Sequence, residues 1–175
     1  MVFKGPPSLT IIYLCGLFFV GVPLFAQGSA QTTMFAQGKL RLGLSAGYGS
    51  WNSKDYGILG LGAGYYLVDG LEAGIDGEAW LGSRPHLYSV SPEVRYTFYQ
   101  LEQFKPYIGG FYKRSLYDTF SPLDSAGARA GLVSPISEHA FLSAGIVTEH
   151  YFHCRSSVYG TCSQTYPEIG FGLVY

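Results

Sequence analysis

Charge is what this 175-residue sequence has least of. Asp, Glu, Lys and Arg make up 13% of it, about half the ~25% of ordinary soluble domains. With 47% hydrophobic residues beside so little charge, the chain is not a disordered segment, because it holds ample apolar surface to bury. The net charge is −1 and no basic run occurs, so the electrostatic footprint of a nucleic-acid binder is missing. A long hydrophobic run is missing as well: Leu9–Val20 falls short of the ~20 residues of a spanning helix. No helical 3.6-residue pattern appears after residue 38. Glycine and aromatics are what the chain has in excess, with 24 Gly and 17% Phe, Trp and Tyr. An interior Gly costs a helix roughly 1 kcal/mol relative to Ala, so a helix bundle is excluded and a single β-rich domain is left.

The first thirty residues read as a secretory leader. Lys4 supplies a short positive start, Leu9–Val20 the apolar run, and Gly28 and Ala30 the small residues before a cut between Ala30 and Gln31. A cut after Ala26 is the weaker choice, since Leu24 is a poor residue three places before it. No lipobox precedes Cys15. Removing residues 1–30 as a signal peptide takes away Lys4 and no acid, which moves the net charge from −1 to −2. It also takes away Cys15, leaving Cys154 and Cys162 in an exported chain, where disulfides persist.

Residues 31–175 then form one domain that alternates with period two. In Gly38–Trp51, Leu40, Leu42, Leu44, Ala46 and Tyr48 oppose Lys39, Arg41 and a row of Gly and Ser. Gly57–Val68 sets Leu59, Leu61, Ala63, Tyr65 and Leu67 against Gly60, Gly62, Gly64 and Tyr66. After the Asp69-Gly70 turn, Leu71–Gly82 sets Leu71, Ala73, Ile75, Ala79 and Leu81 against Glu72, Asp76, Glu78 and Trp80. Leu87–Gln100 continues with Tyr88, Val90, Val94, Tyr96 and Phe98 opposite Glu93 and Arg95. In Pro106–Leu116 aromatics occupy both faces, and the preferred phase turns Ile108, Tyr112 and Leu116 outward. Ala126–Val133 places Arg129 opposite Ala128, Ala130 and Leu132; Ala140–Glu149 places Glu149 opposite Leu142, Ala144 and Ile146; and Gln164–Tyr175 places Tyr166 and Glu168 opposite Ile169, Phe171, Leu173 and Tyr175.

Eight such segments fit a soluble sandwich or a transmembrane barrel, which differ in whether water or lipid meets the apolar face. Charge parity favours the barrel. Arg41, Arg95 and Arg129 share the small-residue face with Glu72, Asp76, Glu78, Glu93, Glu149 and Glu168, a composition suited to a narrow lumen crossed by salt bridges. Aromatics gather near segment ends, Tyr48, Trp51 and Tyr56 at one side and Tyr65, Tyr66, Phe98, Tyr99, Phe104 and Tyr107 at the other, as two interfacial girdles would. The sequence also ends inside an alternation, on Tyr175. With these features, and with segments such as Pro106-Tyr107-Ile108-Gly109-Gly110 and Gly127-Ala128-Arg129-Ala130-Gly131, it resembles the small eight-stranded outer-membrane barrels of the OmpA-, OmpX- and OmpW-like group. The resemblance covers residues 38–175 through pattern more than motif. It implies an all-β, eight-stranded antiparallel up-and-down transmembrane β-barrel in the outer membrane of a diderm bacterium, surrounded by lipid and lipopolysaccharide and monomeric. It also implies that Ile169, Phe171, Leu173 and Tyr175 form the signal read by the barrel-assembly machinery.

With residue 38 on the periplasmic side, the outward loops are 52–56, 83–86, 117–125 and 150–163, and the inward turns are 69–70, 100–105 and 134–139. The last loop carries Cys154 and Cys162, whose disulfide would close a short ring. The rival arrangement is a metal held by the cysteines with His150 and His153, for which the same sulfurs would compete. No cofactor is expected. A lipid A-modifying hydrolase would need Ser, His and an acid together. Glu149, His150, His153, Ser156 and Ser157 are the right types, but the His-x-Ser-Asn order of such barrels does not occur. A structural or surface-interaction role through the loops is the preferred reading, with a narrow channel or a carrier of small hydrophobic molecules as the alternative.

Overall fold

Alternation of apolar with small or polar residues dictates strands that bury one face, and a closed sheet leaves no unpaired edge. The structure, a computed structural model, describes residues 34–51, 54–83, 86–101, 104–117, 122–154 and 162–175. The leader expected at 1–30 lies outside them. Eight strands follow in order: β1 Leu40–Trp51, β2 Lys54–Val68, β3 Leu71–Leu81, β4 Leu87–Thr97, β5 Lys105–Tyr117, β6 Leu123–Pro135, β7 Ala140–Tyr151 and β8 Ser163–Val174. Each pairs antiparallel with the next, and β8 pairs with β1, so the sheet is a closed up-and-down barrel. Following partners around it from Leu40 through Tyr65, Ala73, Val94, Gly110, Ala128, Thr148 and Thr165 leads back along the β8–β1 ladder to Ser50, a stagger of ten residues. Such a stagger tilts the strands by roughly 40°.

The barrel is inside-out relative to a soluble protein. Leu61 (67% exposed), Ile169 (63%) and Ile146 (59%) stand on the outer surface, whereas Arg129 (2%) and Glu72 (1%) are buried within. The outward phase of β5 is the one preferred from sequence, with Ile108, Tyr112 and Leu116 exposed. Among the described residues, charged or histidine side chains on the outer face of the strands are Asp55, Arg114, Asp124 and His150, all near the end that carries the disulfide. The apolar belt below them therefore offers acyl chains a surface without charge.

Three expectations need correction. Tyr56, Tyr66 and Tyr107 are not girdle residues: each is buried inside the lumen, at 1%, 1% and 3% exposure. Their parity within the strands turns them inward with Gly60, Gly64 and Gly109, and an aromatic at a strand end serves as readily for a plug as for a belt. Tyr48, Tyr65, Phe98 and Phe104 do stand on the outer surface. The start of β2 also differs, at Lys54 rather than Gly57, because the β1–β2 ladder continues to Trp51↔Lys54 beyond the apolar alternation, and Ser50 donates to Asp55 there at 2.7 Å. The outward connections 52–53, 118–122 and 152–162 are shorter than expected while 82–86 is one residue longer, and the β4–β5 turn at 98–104 outruns all of them but 152–162.

Candidate functional site in the barrel lumen

The lumen is packed in three layers. At the terminal end, where the described chain enters at Met34 and β8 stops at Val174, Phe35, Tyr66, Tyr107, Val133, Phe141 and Val174 form an apolar cluster. At the disulfide end Tyr56, Ile58, Trp80, Leu87 and Tyr166 lie in another, with Trp80 edge-on to Tyr166 at 5.5 Å. Between them runs a network of ions.

Arg41 reaches from β1 across to β3 and β4, at 2.5 Å from Glu72, 3.1 Å from Glu93 and 3.6 Å from Asp76. Arg95 binds Glu93 at 2.9 Å. Arg129, on the far wall, meets Asp76, Glu93 and Glu168 at 3.1, 3.2 and 3.4 Å. Taking these charges out of water is costly, and the cost is offset only where each ion has several partners, as Arg41, Arg129 and Glu93 do. Aromatic faces add to this, with the Arg95 guanidinium 5.1 Å from the Tyr107 ring centre and that of Arg129 5.2 Å from Phe111.

The glycines explain how such long side chains fit. A Cβ on Gly62 would collide with the Asp76 carboxylate, one on Gly64 with that of Glu72, and one on Gly43 with the Arg41 guanidinium. Bare backbone on β1 and β2 is what lets the ions lie across the wall rather than project to its centre.

All nine charged residues expected in the lumen, Arg41, Glu72, Asp76, Glu78, Glu93, Arg95, Arg129, Glu149 and Glu168, are inside and at most 8% exposed. The sequence reading missed a tenth, Lys113. Its ammonium, 1% exposed, donates to Glu78 at 2.8 Å and to the Tyr166 hydroxyl at 3.0 Å, and pairs with Glu149 at 2.9 Å. It therefore joins Glu78 and Glu149 into a second cluster, to which the Trp80 indole (3.3 Å from Glu78) and the Tyr151 hydroxyl contribute. The signal was available, since turning Ile108, Tyr112 and Leu116 outward forces Lys113 inward.

Free space in the lumen is small. A polar cavity of about 20 Å³ lined by Arg41, Ser45, Asp76, Arg95, Arg129 and Glu168 has room for about one water. Cys154 and Cys162 are joined, with Cα atoms 5.6 Å apart, so these sulfurs are not metal ligands. Glu149 points into the lumen and His150 out of it, so these two are not brought together; Ser156 and Ser157 lie outside the described residues. Ile169, Phe171, Leu173 and Tyr175 line the outer face of β8 and its end, where Tyr175 exchanges both backbone bonds with Leu40 at 3.0 Å and stacks on His139.

No family model and no curated protein matches the sequence. Solved structures do match the fold. The N-terminal β-barrel domain of Pseudomonas aeruginosa OprF superposes with a TM-score of 0.63 at 15% identity, covering 79% of this chain and 98% of that one. Neisserial surface protein A superposes at 0.58 and 16% identity, covering 77% and 95%. A designed transmembrane β-barrel reaches 0.55 at 14%, covering 79% and 97%. With its closed eight-stranded sheet, apolar outside and ionic inside, the chain has the fold of a small outer-membrane β-barrel.

Proposed function

We propose that the chain is an integral outer-membrane protein with a structural or surface-interaction role exercised through its outward loops, the disulfide-closed connection 152–162 foremost. The observation that carries this reading is the filled lumen. Two aromatic layers and an ionic one occupy the barrel from end to end, so it supports neither an aqueous pore nor an internal carrier site, and variation is left to the loops. The end with Met34 and Tyr175 faces the periplasm in this reading. Lipid and lipopolysaccharide surround the belt, the barrel-assembly machinery takes up the strand ending in Ile169, Phe171, Leu173 and Tyr175, and the protein is a monomer that performs no catalysis.

The test is a gel-shift experiment on fractionated cells. The protein should partition with the outer membrane and migrate faster before boiling than after it, as a folded barrel does. Recovery as a soluble periplasmic protein with one mobility would overturn the reading.

A further inference from the structure

We propose that Met34–Gly38 is a stopper that seals the terminal end of the lumen and can withdraw without breaking any strand pair. Among the described residues, the other fully buried large side chains plugging the barrel belong to strands, with Tyr99 of the β4–β5 turn only partly buried against the cluster that contains Phe35. Tyr56, Trp80, Leu87 and Tyr166, which close the disulfide end, cannot leave without opening the ladder. Phe35 is different, because the chain from Met34 to Lys39 is not part of the sheet. Its ring is nonetheless 1% exposed, standing edge-on to Tyr66 of β2 and tilted against Phe141 of β7, both at 5.9 Å.

Among the described residues, three bonds tie the segment to β2 and to the turn that follows it. The Gly70 amide donates to the Phe35 carbonyl at 2.8 Å, the Gly38 amide to the Tyr66 carbonyl at 2.9 Å, and the Gln37 amide to the Asp69 carboxylate at 2.8 Å. Gly38 takes the left-handed φ of 86° that the turn into β1 demands, so the segment hinges on a residue built for it. Tyr66, Phe141 and Val174, all clustered with Phe35, come from strands on either side of the β8–β1 closure. The stopper thus bridges the seam and covers the layer where Arg41 pairs with Glu72. Its withdrawal admits water and small solutes to the lower ionic layer while the opposite end stays shut. The inference relies on the proposed function only for naming that mouth periplasmic.

Access to the lumen is the readout. Ser143 faces the lumen and lines the polar cavity, and with Cys154 and Cys162 joined a Ser143→Cys, Cys15→Ala chain carries one free thiol. The full chain, folded in detergent micelles, is reacted with a charged maleimide, so the outcome is independent of which membrane or which side the mouth faces. Slow labelling is expected for the parent, and labelling faster by at least about tenfold once Phe35→Ala raises the open population. A parent that labels at the rate of an exposed thiol, or a Phe35→Ala chain no faster than the parent, overturns the stopper. If Phe35→Ala does not fold, Phe35→Leu and Gln37→Pro, which shorten the plug or remove the bond to Asp69, decide in the same way: faster labelling supports it and unchanged labelling overturns it.

Discussion

Lys113 saturates its three donors on Glu78, Glu149 and the Tyr166 hydroxyl, so the Lys113 cluster depends on one side chain more than the Arg41–Arg129 cluster does on any of its three arginines. Removing one partner of a buried pair leaves an uncompensated charge, at a cost of about 3–5 kcal/mol. Lys113→Met should therefore lower the unfolding free energy by that amount in urea titrations of the barrel in lipid vesicles. Adding Glu149→Gln to Lys113→Met should recover part of the loss, because one of the stranded carboxylates is then neutral. A loss below about 1 kcal/mol would place the ammonium in a far wetter site than its burial indicates. Gly64 makes the complementary point: Gly64→Ala drives a methyl into the Glu72 carboxylate, and overpacking of this kind costs about 1–3 kcal/mol, measured in the same titration. That these glycines share a face with the charges was legible in the sequence. That each stands under one particular carboxylate or guanidinium was not, since it depends on the cross-strand register.

At the level of the strand, period-two alternation carries both the number of elements and the direction each residue points. It identified all eight strands because a wall with lipid on one side and a narrow ionic lumen on the other imposes one rule on every residue. It lost the start of β2, where Lys54 and Asp55 extend the ladder above the belt and water reaches both faces, so no alternation is imposed. It also could not reveal Phe35, which plugs the lumen from outside any strand and leaves no periodic trace. The belt itself gives a direct test. Leu61 lies midway along β2, on the lipid face and 67% exposed, and an arginine at such a depth costs about 2–4 kcal/mol. Leu61→Arg should be destabilising by that much in vesicles, whereas Leu61→Phe should be close to neutral. Equal stability of the two variants would mean that water, not lipid, meets this face. The last hairpin offers another test: reducing the Cys154–Cys162 bond frees a ring that the chain-entropy estimate values at roughly 2–3 kcal/mol. Cys154→Ser with Cys162→Ser should lower the unfolding midpoint without changing the fluorescence of buried Trp80.

For the whole molecule, the arrangement of the lumen decides what the barrel can transmit. Closure at two ends by different means makes the ends independent: at the terminal end Phe35, from a segment outside the sheet, completes a layer of strand residues, whereas the disulfide end is closed by residues built into the sheet alone. An ion crossing the barrel would have to pass the Phe35 layer, displace the shared partners of Arg41 and Arg129, and then pass Lys113 beneath Trp80 and Tyr166. Withdrawing Phe35 removes only the first of these obstacles. Planar-bilayer recordings should therefore show no conductance steps for the parent protein, and none for Phe35→Ala even though that variant exposes Ser143→Cys to a charged reagent. The two measurements together separate access from passage: labelling without conductance is the signature of a lumen that opens at one mouth only. Steps in the parent would mean that the ionic layer is a conducting path. Steps confined to Phe35→Ala would mean that the Trp80 layer yields when the opposite end is hydrated.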